Sequence, residues 1–443
     1  MPGGGALLEV LLWFALLAPL LAMLLSYDRT GDVFHPVTLI APILTFLYGW
    51  MPMKLVRAGG LDGFFAEEQV AAVQYLNCLG IVALLWGCMS VTPRHGPCPR
   101  LVLSNTAATR LLAGGILIGA CGLLAWSTTV RNVGGFAEAF GRAYSGGWDD
   151  SGYVRDGVLL LVPGILLIIA SASASSWRLV HVCAAFLFAS PWIVQAILTT
   201  RRGPTFMIAV TLGLSFYLHR NKRPPVVAVG AGGLSLGLLM LFLISNRGGI
   251  YLGSEHELRT DVSSVVQMAD PGNEFVYGTG TVLHIQQTRR HFWGKRYLAQ
   301  VVVRPVPSSI WPTKYEDFGV PELLLNAGTA GEGFSSTLGW EPAIGSAPGL
   351  IADVYVEFAY LAFPALWLIG RFYGWIWAKA ITTGGYWITQ YVCIAGLTAY
   401  LIMQTIEAVI FRLLLMSIPL GLTWYAAGLA ETAEQRAMHV QPA

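Results

Sequence analysis

A chain of 443 residues that is 55% hydrophobic and only 12% charged, with a mean hydropathy of +0.60, is a polytopic membrane protein and not a soluble enzyme of that length. Its formal net charge of +2 is close to balanced, which excludes bulk attraction to nucleic acid and makes the position of each charge relative to the bilayer the informative quantity. The six cysteines fall mostly in hydrophobic runs without a C-x-x-C pair, so they read as small apolar fillers.

A helix needs about twenty mostly apolar residues to cross the hydrocarbon core. That ruler marks candidate spans at 6–26, 36–56, 69–91, 109–130, 157–176, 179–199, 204–219, 225–245, 349–370, 385–404 and 408–429, about eleven in all. The first, from Ala6 to Leu25, lacks a positively charged leader and an A-x-A cleavage site and reads as a retained span. The seventh is short, and Arg371 to Gly385 has room for an interfacial helix. The expected fold is all-α and polytopic. Helices 1–8 occupy 1–245, one large extracytoplasmic loop occupies 246–348, and helices 9–11 with a cytoplasmic tail occupy 349–443, joined as one membrane domain.

The Lys/Arg bias of short loops orients the spans. His219-Arg220-Asn221-Lys222-Arg223 is the most basic short loop and is assigned to the cytoplasm. Arg94, Arg100, Arg110, Arg178, Arg371 and Lys379 follow it, while the acidic run Asp149 to Asp156 and the large loop face outward. Arg201-Arg202 breaks this pattern, and arginines at membrane depth cost desolvation. One reading is an anion site, since guanidinium matches phosphate oxygens with two parallel hydrogen bonds. The other is snorkelling to headgroups. The same face carries Arg247, Arg259, Arg289, Arg290, Arg296, Arg304 and Lys314, which favours the anion site.

No Asp-x-Asp occurs, so the metal-nucleotide site of many sugar-nucleotide transferases is missing, and neither metal nor cofactor is expected. Glu316-Asp317 reads as an exposed acidic pair. Asp353 and Glu357 stand four apart at the start of a span and share one helical face. Acidic groups suit a helix N-terminus, and a capping or pairing role is favoured there over catalysis. His256, His284 and His291 are further proton acceptors, without triad spacing. Trp293, Tyr297, Trp311, Tyr315 and Trp340 offer rings either for sugar stacking or for an interfacial belt. Gly115 and Gly119, inside a span, read as close-packing positions. Glu407 and Arg412, near the last two helices, read as a pair or as groups reaching the interface.

Arg304-Pro305 followed by Ile310-Trp311-Pro312-Thr313-Lys314, then Gly333-Phe334-Ser335-Ser336, then Ile351-Ala352-Asp353-Val354-Tyr355-Val356-Glu357-Phe358 resembles the O-antigen polymerase (Wzy-type) oligosaccharide repeat unit polymerases. The likeness reaches upstream to Asn246-Arg247 and Asn273-Glu274-Phe275 and covers the second half of the chain. Two positions depart from the family pattern: arginine precedes proline here, and Ala359 stands where the family tends to carry a glycine after Phe358.

The resemblance implies a membrane glycosyltransferase of GT-C-like architecture in the bacterial cytoplasmic (inner) membrane, active at its extracytoplasmic face. It would transfer a growing polyprenyl-diphosphate-linked glycan onto the next lipid-linked repeat unit. Its partners would be that lipid-linked oligosaccharide, the lipid bilayer, and a chain-length regulator and flippase of the same pathway. Such chemistry needs cations on the departing diphosphate and an acceptor hydroxyl held near the anomeric carbon. On this reading Glu274 is the base, oriented by Arg247 or Arg304, and Arg304 is the catalytic cation. Arg201, Arg202, Arg247, Trp311, Lys314, Tyr355 and Glu357 bind substrate. An O-antigen ligase would share most of these features. A lipid-linked glycan transporter would instead place its substrate-binding charges within the helices.

Overall fold

The computed structural model describes residues 4–91, 103–141, 152–175, 177–198, 202–246, 249–255, 274–319, 334–340 and 347–440. Every regular element among them is helical. Ten segments are long and apolar enough to cross a membrane, and Gly203–Leu218, a shorter apolar helix, stands at the expected seventh span. The protein is thus a multi-pass membrane protein.

The chain divides into two compact units. One comprises Met1–Thr92, Ser263–Trp375 and Thr398–Phe411, the other Pro93–Val262, Ile376–Leu397 and Arg412–Ala443. This division cuts across the sequential boundaries at 245 and 348: the helix Glu274–Thr288 of the expected loop packs on the second and third spans.

In the first unit α1 (Gly4–Thr30), α2 (Pro36–Arg57) and α3 (Glu67–Met89) pack against one another. His35 opens α2, its Nδ1 accepting from Val37 N at 3.3 Å, with Pro36 at the first helical position where a missing N–H costs nothing. Pro52 cannot donate the α-helical bond to Tyr48 O, and the turn over Thr45–Trp50 widens to π geometry. Gln74 Nε2 of α3 takes up that carbonyl at 2.8 Å.

The second unit begins with α4 (Asn105–Asn132), α5 (Tyr153–Ala174), α6 (Leu179–Leu198), α7 (Arg202–Leu218) and α8 (Val226–Ser245). Ser104 caps α4, its Oγ accepting from Ala107 N at 3.2 Å. A Cβ placed on Gly164 of α5 would stand 2.8 Å from Gly119 Cα of α4, so only a bare backbone fits this crossing. Gly115 meets the same helix, and Ser171 Oγ donates to Ala108 O at 2.7 Å across the seam.

The first unit resumes with α9 (Glu274–Thr288), buried from Glu274 to Ile285 and packed on α3 and on α10 (Leu350–Phe358). The expected span at 349–370 is not one helix. Its chain leaves α10 through Ala359, whose φ of +51° is incompatible with helix, and re-enters as α11 (Ala362–Thr383). The expected interfacial helix at 371–385 is the second half of α11. α12 (Tyr386–Gly396) belongs to the second unit; α13 (Thr398–Met403) returns to the first, and a break at 404–405 precedes α14 (Ile406–Val440), whose start to Phe411 lies in the first unit and the rest in the second. Cys78, Cys88 and Cys393 are buried and unbridged, in keeping with filler roles.

Candidate functional site

The break after α10 organises the site. A helix leaves its last carbonyls without intrahelical donors, and the turn after α9 supplies them. Phe292 N donates to Val356 O at 3.3 Å and Trp293 N to Glu357 O at 2.8 Å. His291 Nδ1 lies 3.2 Å from both Tyr355 O and Val356 O. Arg289, Trp293 and Gly294 reach this turn with φ of +53°, +54° and +81°. Together with Ala359, three of the four non-glycine residues with positive φ among the described residues flank the end of α10. Such backbone concentrates where structure holds a functional group in place.

What the turn delivers is Arg296, in the short helix Lys295–Leu298. Its side chain is fully buried and bonds two carboxylates on the facing side of α10: Nη2 donates to Asp353 Oδ1 and Nε to Glu357 Oε1. The four-residue spacing of the two acids places them on one face, so one planar fork can serve both. Glu407, in the first turn of α14, puts Oε1 3.4 Å from Arg296 Nε.

The second oxygens of the α10 acids are also engaged. Asp353 Oδ2 accepts from Tyr297 Oη at 2.7 Å and from Ile406 N at 2.9 Å, capping α14 where a negative charge suits the helix dipole. Glu357 Oε2 accepts from Gly294 N at 2.6 Å. Burial works against the charge on Arg296, but the carboxylates of Asp353, Glu407 and Glu357 outweigh it and raise its pKa. Burial, followed by the neighbouring Asp353, holds the Tyr297 phenol well above its ordinary value, so it stays a neutral donor.

Arg304 stands beside this centre. It is half-buried, its guanidinium lies 4.1 Å from the Phe411 ring centroid, and Nη1 donates to Gln300 Oε1 at 3.0 Å. Glu407 is within its electrostatic reach.

The structure brings Glu357 into contact with Arg296 and Arg304 into reach of Glu407. Glu274 opens α9, is 7% exposed, and shares with Asp353 an electrostatic interaction with Tyr48. Tyr355 is buried, its ring 5.8 Å from that of His291. Lys314 is buried with Nζ donating to Val306 O and, at 3.4 Å, to Arg304 O, an arrangement that tucks the segment 304–314 on itself. Its ammonium thus bonds the loop's own carbonyls. Trp311 Nε1 donates to Asp317 Oδ2 at 2.6 Å and leaves its ring half-exposed. The bonds from Trp311 and Thr313 lower the pKa of Asp317. Trp340 packs into Phe64, Phe65 and Phe334 rather than presenting an open platform, and Tyr297 is committed to Asp353. His284 Nδ1 meets Thr337 Oγ1 at 3.1 Å, and burial, then Arg290, lowers its pKa.

Arg201, Arg247, Arg259, His256, Asn273 and Gly333 lie outside the described residues, as do Arg94, Arg100, Cys98, Asp149 and Asp150. Arg202 opens α7, and its side chain is also outside them. Among the described residues no group of His, Cys, Asp and Glu has the arrangement to hold a metal ion.

Sequence reasoning gave Arg296 no role beyond that of one cation among several. The signal that points to it is the acidic pair in α10: two carboxylates on one face of an apolar helix require a buried cation. Glu407, read from spacing as pairing with Arg412 or reaching the interface, faces Arg296. Comparison of the chain with models of known families, with characterised proteins and with solved structures gives no match in any of the three.

Proposed function

We propose that this protein is a membrane glycosyltransferase of the polysaccharide polymerase type, transferring a polyprenyl-diphosphate-linked glycan onto the next lipid-linked repeat unit at the outer face of the bacterial cytoplasmic membrane. The observation that carries the reading is Arg304. It is a half-buried cation fixed over Phe411 next to a carboxylate-rich centre, on the polar segment of a multi-pass protein. A guanidinium so placed offers a departing diphosphate a preorganised counter-charge, and preorganisation is what makes such a charge catalytic. The half-exposed Trp311 ring and the exposed Trp293 ring supply apolar faces for sugar. The sequence resemblance around Arg304, Trp311 and the start of α10 points the same way.

One observation favours a transporter of lipid-linked glycans as a second reading: Asp353, Glu357 and Glu407 all lie in membrane-spanning segments, where ionisable groups often mark a transport path. The experiment that separates these readings uses purified protein in lipid vesicles with polyprenyl-diphosphate oligosaccharide extracted from the host's membranes. A ladder of lengthened glycans on the lipid carrier, formed at least about 100-fold more slowly by Arg304→Ala, supports the polymerase. Glycan transferred to a different acceptor indicates a ligase. Movement across the bilayer with no new glycosidic bond indicates the transporter.

A further inference from the structure

We propose that a cavity at one end of the first three spans holds the headgroup of a bilayer phospholipid that carries both a phosphate and a primary ammonium, as phosphatidylethanolamine does. The proposal is independent of the glycosyltransferase reading and of the Arg296 centre. The cavity, of about 200 Å³, lies where α1 begins, α2 ends and α3 begins, so it belongs wholly to the first unit. Leu8, Leu12 and Met53 are buried and give it an apolar floor, while Glu9, Arg57 and Glu67 bring charge of both signs to its walls. A cavity of about 150 Å³ takes up benzene, so this one has room for a headgroup of about eight heavy atoms. The three charged side chains are exposed, which opens the cavity outward and gives a headgroup its path in.

Those charges are not spent on each other. Among the described residues none of the three makes a hydrogen bond or an ion pair, and the contact that fixes Arg57 is its guanidinium 5.8 Å from the Trp13 ring centroid. Gly5 lets Glu67 lie close against α1, since a Cβ there would stand 2.7 Å from Glu67 Oε1. The source of the ligand follows from what borders the cavity. Trp13 and Leu17 stand one and two turns on from Glu9 along the same side of α1, and they are 42% and 54% exposed. An exposed apolar row on a membrane span faces lipid, with tryptophan at headgroup level. A phospholipid can therefore lay its chains along Trp13 and Leu17 while its headgroup enters the cavity.

The chemistry of the walls selects the headgroup. A primary ammonium has three N–H donors to share between Glu9 and Glu67, and phosphate oxygens match the fork of Arg57. A choline group has no N–H to donate, and the ring that would otherwise attract it already carries Arg57. An anionic headgroup without an ammonium would bring a like charge to two carboxylates.

The test is native mass spectrometry of the full chain released from vesicles of equal parts phosphatidylethanolamine, phosphatidylcholine and phosphatidylglycerol, with the retained lipid identified. Wild type is expected to retain phosphatidylethanolamine at least about fivefold over either competitor, and Arg57→Gln or the double variant Glu9→Gln/Glu67→Gln to lose about that factor, the upper value for one exposed ion pair. Val56→Trp, at a half-buried position lining the cavity, fills the space with every charge kept and should remove the preference. These exposed or half-buried positions leave the helix contacts intact, so folded yield should match wild type. Equal retention of the three lipids, or a preference for phosphatidylglycerol, overturns the proposal. A preference that survives Val56→Trp overturns the cavity as its seat, and one that survives both charge variants overturns the contacts assigned to the headgroup. Displacement of the lipid by an equal concentration of free phosphoethanolamine overturns the bilayer as the source.

Discussion

The α4–α5 seam and the Arg296 centre are both buried contacts between helices, held together by opposite means. At the seam, glycines let backbones touch, and the contact is dispersion plus one hydroxyl-to-carbonyl bond. At the centre, three carboxylates from α10 and α14 converge on one guanidinium carried by a turn with left-handed backbone. Shape alone suffices to pack two apolar helices. Burying four ionisable groups is a costly way to do the same, and replacing such a network with apolar residues is often neutral or stabilising. On the glycosyltransferase reading proposed above, this difference is what singles out the first unit as the one that carries the chemistry.

The comparison breaks most sharply at Arg296. Arg296→Met leaves Asp353, Glu357 and Glu407 facing one another without a cation and is expected to destabilise the protein by about 3–5 kcal/mol, the usual result of removing one partner from a buried pair. Fluorescence-detected size exclusion after graded heating should show the loss. Arg296→Lys should recover only part of it, because a point ammonium cannot reproduce the fork that serves Asp353 and Glu357 together. At the seam the expected loss is smaller. Gly164→Leu forces a side chain against the Gly119 backbone and should cost about 1–3 kcal/mol, with glycan extension per folded molecule unchanged. If Gly164→Leu abolished extension at equal folded yield, the division of labour between the two regions would be wrong.

These contrasting designs also explain what could be read in the sequence. The spans were legible because hydropathy over about twenty residues is a sum that tolerates local error. The seam was legible in Gly115 and Gly119, because small residues inside a span have few other uses. The break at 404–405 was legible as the boundary between the expected spans 385–404 and 408–429, whereas the break at Ala359 was not, since an apolar run looks the same whether straight or bent, and the cause lies in partners distant in sequence. Arg296 was hidden among seven similar loop cations. Its role depends on the turn at 289–294, which no periodicity announces. Nor does the motif around Lys314 announce that its ammonium bonds the carbonyls of Arg304 and Val306.

The smallest expected effect separates strain kept for function from strain that is merely present. Ala359 holds φ +51° and ψ −132°, a conformation suited to glycine, at the position where the resembling family tends to carry one. An L side chain there costs on the order of 1–3 kcal/mol. Glycine removes that strain but adds freedom to the unfolded chain worth roughly 0.4–1 kcal/mol. The net expectation for Ala359→Gly is a gain of about 1 kcal/mol, read as a raised melting temperature. The same bend ends α10 two residues after Glu357, whose carbonyl and carboxylate bind Trp293 N and Gly294 N of the turn carrying Arg296. Because those bonds do not involve the Ala359 side chain, the aim of Arg296 should be preserved and glycan extension should stay at the wild-type rate. A stabilised protein with slower extension would instead show that stiffness at Ala359 helps hold the charge centre in register, and would extend the functional region from the carboxylates to the backbone that positions them.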